Sequence, residues 1–199
     1  VKGEGIFFQF DNDKINKWSQ NNHIIERTKL INDKYNQYRS DLGLIHRNIN
    51  ARFILIHTFA HVVINRFCYL CGYGSASLRE RIYCDSEYEK PSDPMNGVLI
   101  YTSSGDSEGS LGGLVRQGNP GYLENVVLEA IETCQWCSSD PICIDSKGQG
   151  PSSINLAACH NCSLLPETSC EEQNKLLDRA MLIGTENDPD SGYFSNLIR

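Results

Sequence analysis

Nine cysteines among 199 residues, an odd number, cannot all be joined in disulfides within one chain, so some of the sulfur must serve another purpose. Five of them fall between Cys137 and Cys170, in a stretch of Pro, Gly, Ser and Asn with little apolar mass. Such a segment buries too little apolar surface to fold on that basis alone. Cys137 and Cys143 form a C-x5-C pair, and a 15-residue spacer separates them from Cys159 and Cys162, a C-x2-C pair. A C-x2-C pair brings two thiolates together in one tight turn, and a second pair completes the four-sulfur tetrahedron that suits zinc at about 2.3 Å per bond. Metal binding would contribute about 10–16 kcal/mol of apparent folding free energy. Four protein ligands leave no open coordination position, so one structural Zn2+ is expected, with Cys134, His160 or Cys170 able to replace one of the four. Clustered thiols without a secretory leader fit a reducing cytoplasm. The chain begins at Val1 and runs almost at once into an apolar stretch, as a piece of a larger protein would.

The expected architecture is α+β, a mainly helical domain with a small β-sheet and a loop-rich, four-cysteine zinc-binding segment at about 134–170. Gly5 to Phe10 (GIFFQF) and Gly97 to Thr102 (GVLIYT) read as strands that could pair. A sparse helix is expected from Lys14 to about Tyr38, with Ile15 and Trp18 on one face and Ile24, Ile25, Leu30 and Ile31 continuing it weakly. Asn50 to Leu70 is the strongest helical pattern and the expected core, stopped by Gly72 and Gly74. Ser75 or Ser77 would then cap a short helix through Leu78 and Ile82. Pro120 opens another helix over Tyr122 to Trp136, and Ser169 with Glu172 has the capping-box spacing for a last helix to Gly184. These boundaries give a lead-in at 1–49, the zinc-binding domain at 50–184 and a polar tail at 185–199. No run of consecutive apolar residues, Phe53 to Ile56 included, approaches the roughly 18 residues of a membrane span, so none is expected.

Net charge is −7, which disfavours indiscriminate binding to nucleic acid, but it is unevenly spread. Residues 1–81 carry 12 Lys/Arg against 7 Asp/Glu, and residues 82–199 carry 6 against 18. Phosphate contacts would therefore sit in the first half. Arg79 and Arg81, with Arg52 and Arg66, could form a basic face, since the guanidinium fork suits phosphate; pairing with Glu80, Asp106 or Glu108 is the competing use. The glycine-rich loop Ser103 to Gly113 places Ser104, Asp106, Ser107 and Glu108 where a DNA or partner contact, tight packing on the core, or an acidic nuclease-like site could each be made. It lacks Gly-Lys-Ser/Thr, and its serines lack a G-x-S-x-G elbow. His57 and His61 have the i, i+4 spacing of a zinc-binding pair but not the glutamate general base that follows the first histidine in zincins. Buried, hydrogen-bonded histidines are the alternative, and a second site of His61, Cys68, Cys71 and Cys84 is conceivable. A metal-dependent nuclease using His57, His61, Asp106 and Glu108 is the rival enzymatic reading.

Taken together, HTFAH at His57, GYGSASLRERIY from Gly72, YTSSGDSEGSLGGL from Tyr101, CSSDPIC from Cys137 and AACHNCSLLPETSCEEQNKLLDR from Ala157 resemble the MrfA-type zinc-binding domain, in the version carried by the DISARM anti-phage defence system. GEGIFFQFD is similar to the stretch that precedes that domain, so the resemblance covers Gly3 to Ile183. It implies zinc at Cys137, Cys143, Cys159 and Cys162, with Cys170 a matching cysteine of open role. It further implies a non-catalytic module that helps a superfamily 2 helicase, in DISARM the helicase DrmA, to engage invading DNA in the bacterial cytoplasm. The chain has no motor motif, so ATP hydrolysis would belong to that partner. Cys68, Cys71, Cys84 and Cys134 lie outside the matching pattern.

Overall fold

The computed structural model describes residues 3–85, 95–103 and 113–198. Its centre is a 21-residue helix, α3 (Ala51–Cys71), numbered in chain order with the elements below. Asn50 caps it by accepting the Phe53 amide hydrogen at 2.8 Å, and Gly72 ends it at φ +69°, a left-handed conformation that glycine adopts without a side-chain clash. Helix α3 is long and apolar enough to cross a membrane by composition alone, yet 67% of its most apolar window is buried inside the protein. Its polar residues His57, Thr58 and His61 are fully buried too. A helix apolar on all sides with histidines inward is the core helix of a packed domain.

Strands β1 (Gly5–Gln9), β2 (Leu78–Cys84) and β3 (Asn96–Thr102) form an antiparallel sheet in the order β1-β3-β2. The expected pairing of the first and third strands is present, with Ile6 opposite Ile100 and Phe8 opposite Val98. Gly97 is required in it, because a Cβ there would lie 2.7 Å from the Phe8 carbonyl oxygen. The short helix expected over 75–82 is instead β2. Leu78, Glu80 and Ile82 alternate inward while Arg79 and Arg81 point out, a period of two that a glutamate on the inner face disguises. The inner face of β2 and β3 lies against α3.

Two helices replace the single one expected before α3. α1 (Asn12–Ser19) and α2 (Asn22–Asp41) have separate side-chain caps at Asp11 and Asn21. They bury Ile15, Ile24, Ile31 and Tyr35 and leave Ile25 and Leu30 exposed. α4 (Gly113–Gln117) and α5 (Leu123–Cys134) follow the sheet, and α5 packs Val126, Ala130 and Ile131 toward α3.

The C-terminal expectations need correction. Only α6 (Ala180–Ile183) is α-helical; Ser169 closes a 3-10 turn, and Gln173, Asn174 and Leu176 have positive φ. The groups expected to cap a helix have tertiary partners: Ser169 donates to the Ser75 carbonyl at 3.2 Å, and Glu172 pairs with Arg47 at 2.6 Å. Residues after 185 do not trail as a polar tail. Tyr193 and Phe194 are buried against Phe10 and Phe59, and Trp18 donates to the Ser191 carbonyl at 2.7 Å. Gly192 allows this return, since a Cβ there would meet Ile183 and Gly184 backbone at 2.3 Å.

Candidate metal centres

Cys137 and Cys143 lie in turns just after α5, and Cys159 and Cys162 lie in a second turn whose own N–H groups face back on the sulfur. The four Sγ atoms all fall within 4.8 Å of one another. Cys137 to Cys159 is 3.5 Å, and Cys143 to Cys162 and Cys159 to Cys162 are both 3.8 Å. A tetrahedron with Zn–S bonds of about 2.3 Å has edges of about 3.8 Å, so the donors fit zinc without rearrangement. Hydrogen bonds from Ser139 N to Cys137, Cys159 N to Cys162 and Gln149 Nε2 to Cys143, at 3.3 to 3.4 Å, favour thiolates. The hydrogen bond with Cys143 brings the Cys162 thiol down to about 5, against the effect of burial, while the same bond pushes Cys143 up.

The lobe is fastened to the core by polar contacts as well as apolar ones. Arg179 is fully buried, donating to the Cys134 carbonyl at 2.8 Å and to Asp140 at 2.6 Å. Asp140 in turn accepts from the amides of Cys137 and Ile144 and so shapes the first cysteine turn. Ile154, Leu156, Ala157 and Ala158 of the spacer are buried, so the segment borrows a core rather than building one.

A second group of donors converges under the sheet. His57 and His61 of α3, Glu80 of β2 and Cys170 present atoms within 4.8 Å of one another, and all four residues are buried. His57 Nε2 lies 3.1 Å from Cys170 Sγ and 3.0 Å from Glu80 Oε1, and His61 Nε2 lies 3.5 Å from the same oxygen. Burial opposes charge on each imidazole, but Glu80 and Cys170 together outweigh it and raise both pKa values. Against the same burial, the imidazoles hold Glu80 well below the carboxylate range and bring Cys170 down to about 7.

Several expectations change here. Cys170 does not substitute in the tetrathiolate group, because it faces His57 beneath the sheet. Neither Cys134 nor His160 joins that group either. The site of His61, Cys68, Cys71 and Cys84 does not form: Cys84 bonds Asn50 at one end of α3, while Cys68 and Cys71 sit at the other, roughly 30 Å along the helix. Glu80 pairs with the histidines and not with the arginines. Arg81 pairs with Glu171, Arg66 pairs with Glu129, and Arg52 donates to the Asp85 carbonyl, so no continuous basic face gathers among the described residues, although Arg79 is exposed. Ser104, Asp106, Ser107 and Glu108 lie outside the described residues. His57 and His61 have no exposed surface, which leaves a nuclease built on them without an accessible metal position. Glu80 was missed because nothing marks it in the sequence except the inward register of β2.

A closed, core-anchored tetrathiolate on an α+β scaffold defines a structural zinc-binding domain. The chain belongs to the family of the MrfA Zn-binding domain, whose family model matches residues 59–163. It is 36% identical over 200 residues to the DISARM protein DrmB of Bacillus paralicheniformis. That alignment takes in 100% of this chain and 34% of the relative, so the chain spans about a third of the length of the curated protein it matches.

Proposed function

We propose that this chain is the non-catalytic zinc-binding module of a DISARM-type anti-phage defence protein, supporting a superfamily 2 helicase partner, DrmA or a similar motor, in engaging DNA in the bacterial cytoplasm. The observation that carries this reading is the closed four-cysteine shell: Cys137, Cys143, Cys159 and Cys162 leave zinc no vacant position for water or substrate, so the ion's work is to hold the fold. On this reading residues 50–184 are the zinc-binding unit, with 1–49 and 185–199 packed around it.

Zinc would hold the segment from about 134 to 170 against α3 and α5, and this in turn would support β2. Arg79 and Arg81, on the outer face of β2, and Ser104, Asp106, Ser107 and Glu108, which follow β3 in the sequence, are the proposed DNA or partner contacts. With a net charge of −7, binding would be local and would rely on few phosphates.

Co-purification with the helicase and DNA binding across a salt series test this. Cys162→Ser is expected to abolish helicase-dependent DNA binding. Arg79→Ala is expected to weaken it and lower the slope of log affinity against log salt by about one. A folded, zinc-free Cys162→Ser protein that supports the helicase as well as the unaltered one would refute the reading.

A further inference from the structure

We propose that His57, His61, Glu80 and Cys170 bind a second zinc ion, separate from the tetrathiolate centre. The four residues come from α3, β2 and the turn after Ser169, far apart in the chain, yet bring two imidazole nitrogens, a carboxylate oxygen and a thiol sulfur to one point. This donor set suits zinc, which takes Cys, His and Glu ligands in four-coordinate sites.

The hydrogen bonds around the group prepare it for a cation. His61 Nδ1 donates to the Ser163 carbonyl at 2.7 Å, which fixes the tautomer and leaves the Nε2 lone pair directed into the cluster. A proton on that Nε2 would have no acceptor in hydrogen-bonding geometry, and Glu80 Oε2 is likewise buried without a partner. Peptide N–H groups stand behind both acidic donors: Asn174 N lies 3.2 Å from Cys170 Sγ, and Glu171 N lies 3.3 Å from Glu80 Oε1. They stabilise thiolate and carboxylate, the two forms that bind metal. Two such anions and two neutral imidazoles balance one divalent ion, making a neutral centre in a place where net charge is costly. Because all four donors come from the protein and none is exposed, the ion would be structural, pinning β2 and the Cys170 turn onto α3.

The inference does not depend on the defence role proposed above, and its test does not use a helicase or DNA. Zinc per chain is measured by mass spectrometry on the full-length protein purified without chelators. Cys170→Ala and Glu80→Gln are each expected to lose one equivalent relative to the unaltered protein, and Cys162→Ser to lose a different one, so that combining Cys170→Ala with Cys162→Ser removes two. Folded Cys170→Ala and Glu80→Gln proteins with undiminished zinc would overturn the proposal. Should either variant unfold or shed all its zinc, zinc-edge X-ray absorption of the unaltered protein decides. An imidazole and oxygen shell at about 2.0–2.2 Å beside the sulfur shell at about 2.3 Å supports the second centre, and an all-sulfur shell overturns it.

Discussion

Replacing Asp178 by alanine should be among the most damaging single changes to this fold, although the residue binds no metal. Its carboxylate has no exposed surface and takes four hydrogen bonds. Arg27 Nε and Nη2 of α2 donate at 2.7 and 2.9 Å, and the amides of Ala157 and Ala180 donate at 3.2 and 3.1 Å. One side chain thus ties α2, the spacer between the cysteine pairs and the start of α6. Removing one partner of a buried ion pair costs about 3–5 kcal/mol. Arg27 keeps 13% of its side chain exposed and can recover some hydration, which favours the lower half of that range. Two buried peptide donors also lose their acceptor, at about 1–3 kcal/mol each before relaxation. Since neighbouring terms do not add fully, the expected total is about 4–6 kcal/mol. Asp178→Asn keeps the Oδ1 acceptor for the two amides and loses the charge-assisted bonds, at about 2–3 kcal/mol. Urea denaturation followed by circular dichroism, with zinc buffered at saturation so that metal affinity is held constant, measures both. An alanine variant within about 1 kcal/mol of the unaltered protein, or one no worse than the asparagine variant, would refute the reasoning.

Phe67→Ala, at a fully buried position on α3, should cost about 3–5 kcal/mol in the same denaturation assay without changing zinc content. Gly192→Ala should push residues 193–194 off the Phe10 and Phe59 rings, read as earlier cleavage near the C-terminus in limited proteolysis, at a cost of about 1–3 kcal/mol. Arg81→Ala, at an exposed pair with Glu171, should leave the melting temperature unchanged. Burial, aided by Asp11, pushes the Tyr193 hydroxyl up to about 12. The folded protein therefore holds that proton longer than the unfolded chain, and stability should fall as pH rises from about 10 to 12; Tyr193→Phe should remove that part of the alkaline loss.

The tetrathiolate was legible in the sequence because its information is local: two short pairs set two turns, and the spacer's composition shows that it needs a ligand. Helix α3 and the pairing of β1 with β3 were legible for a similar reason, a strong period within one window. The buried four-residue cluster was not, because its members are spread over 113 residues and only the tertiary fold sets their distances. His57 and His61 read as core histidines or as half of a site, and both descriptions hold only once Glu80 is known to point inward. The last helix failed for the opposite reason. Ser169 and Glu172 form a valid local cap signal, but bonds to Ser75 and Arg47 hold them elsewhere, and tertiary partners override a local signal worth about 1 kcal/mol.

The lobe's attachments bear on how a structural ion could matter at a distance. A metal loop hung on a flexible linker would fold or unfold without consequence for the rest of the domain. Here Asp178 joins the lobe to α2, Arg179 joins the first cysteine turn to the backbone at the end of α5, and the Ser163 carbonyl, directly after Cys162, orients His61 of α3. His61 in turn faces Glu80, whose neighbours Arg79 and Arg81 stand on the outer face of β2. Each link runs through a buried group, so loss of zinc from the tetrathiolate centre would remove support from His61 and, through Glu80, from the register of β2. The two arginines proposed to meet DNA or the motor are thus coupled to the cysteines by a continuous set of packed contacts. Zinc would govern that surface without ever touching what binds there.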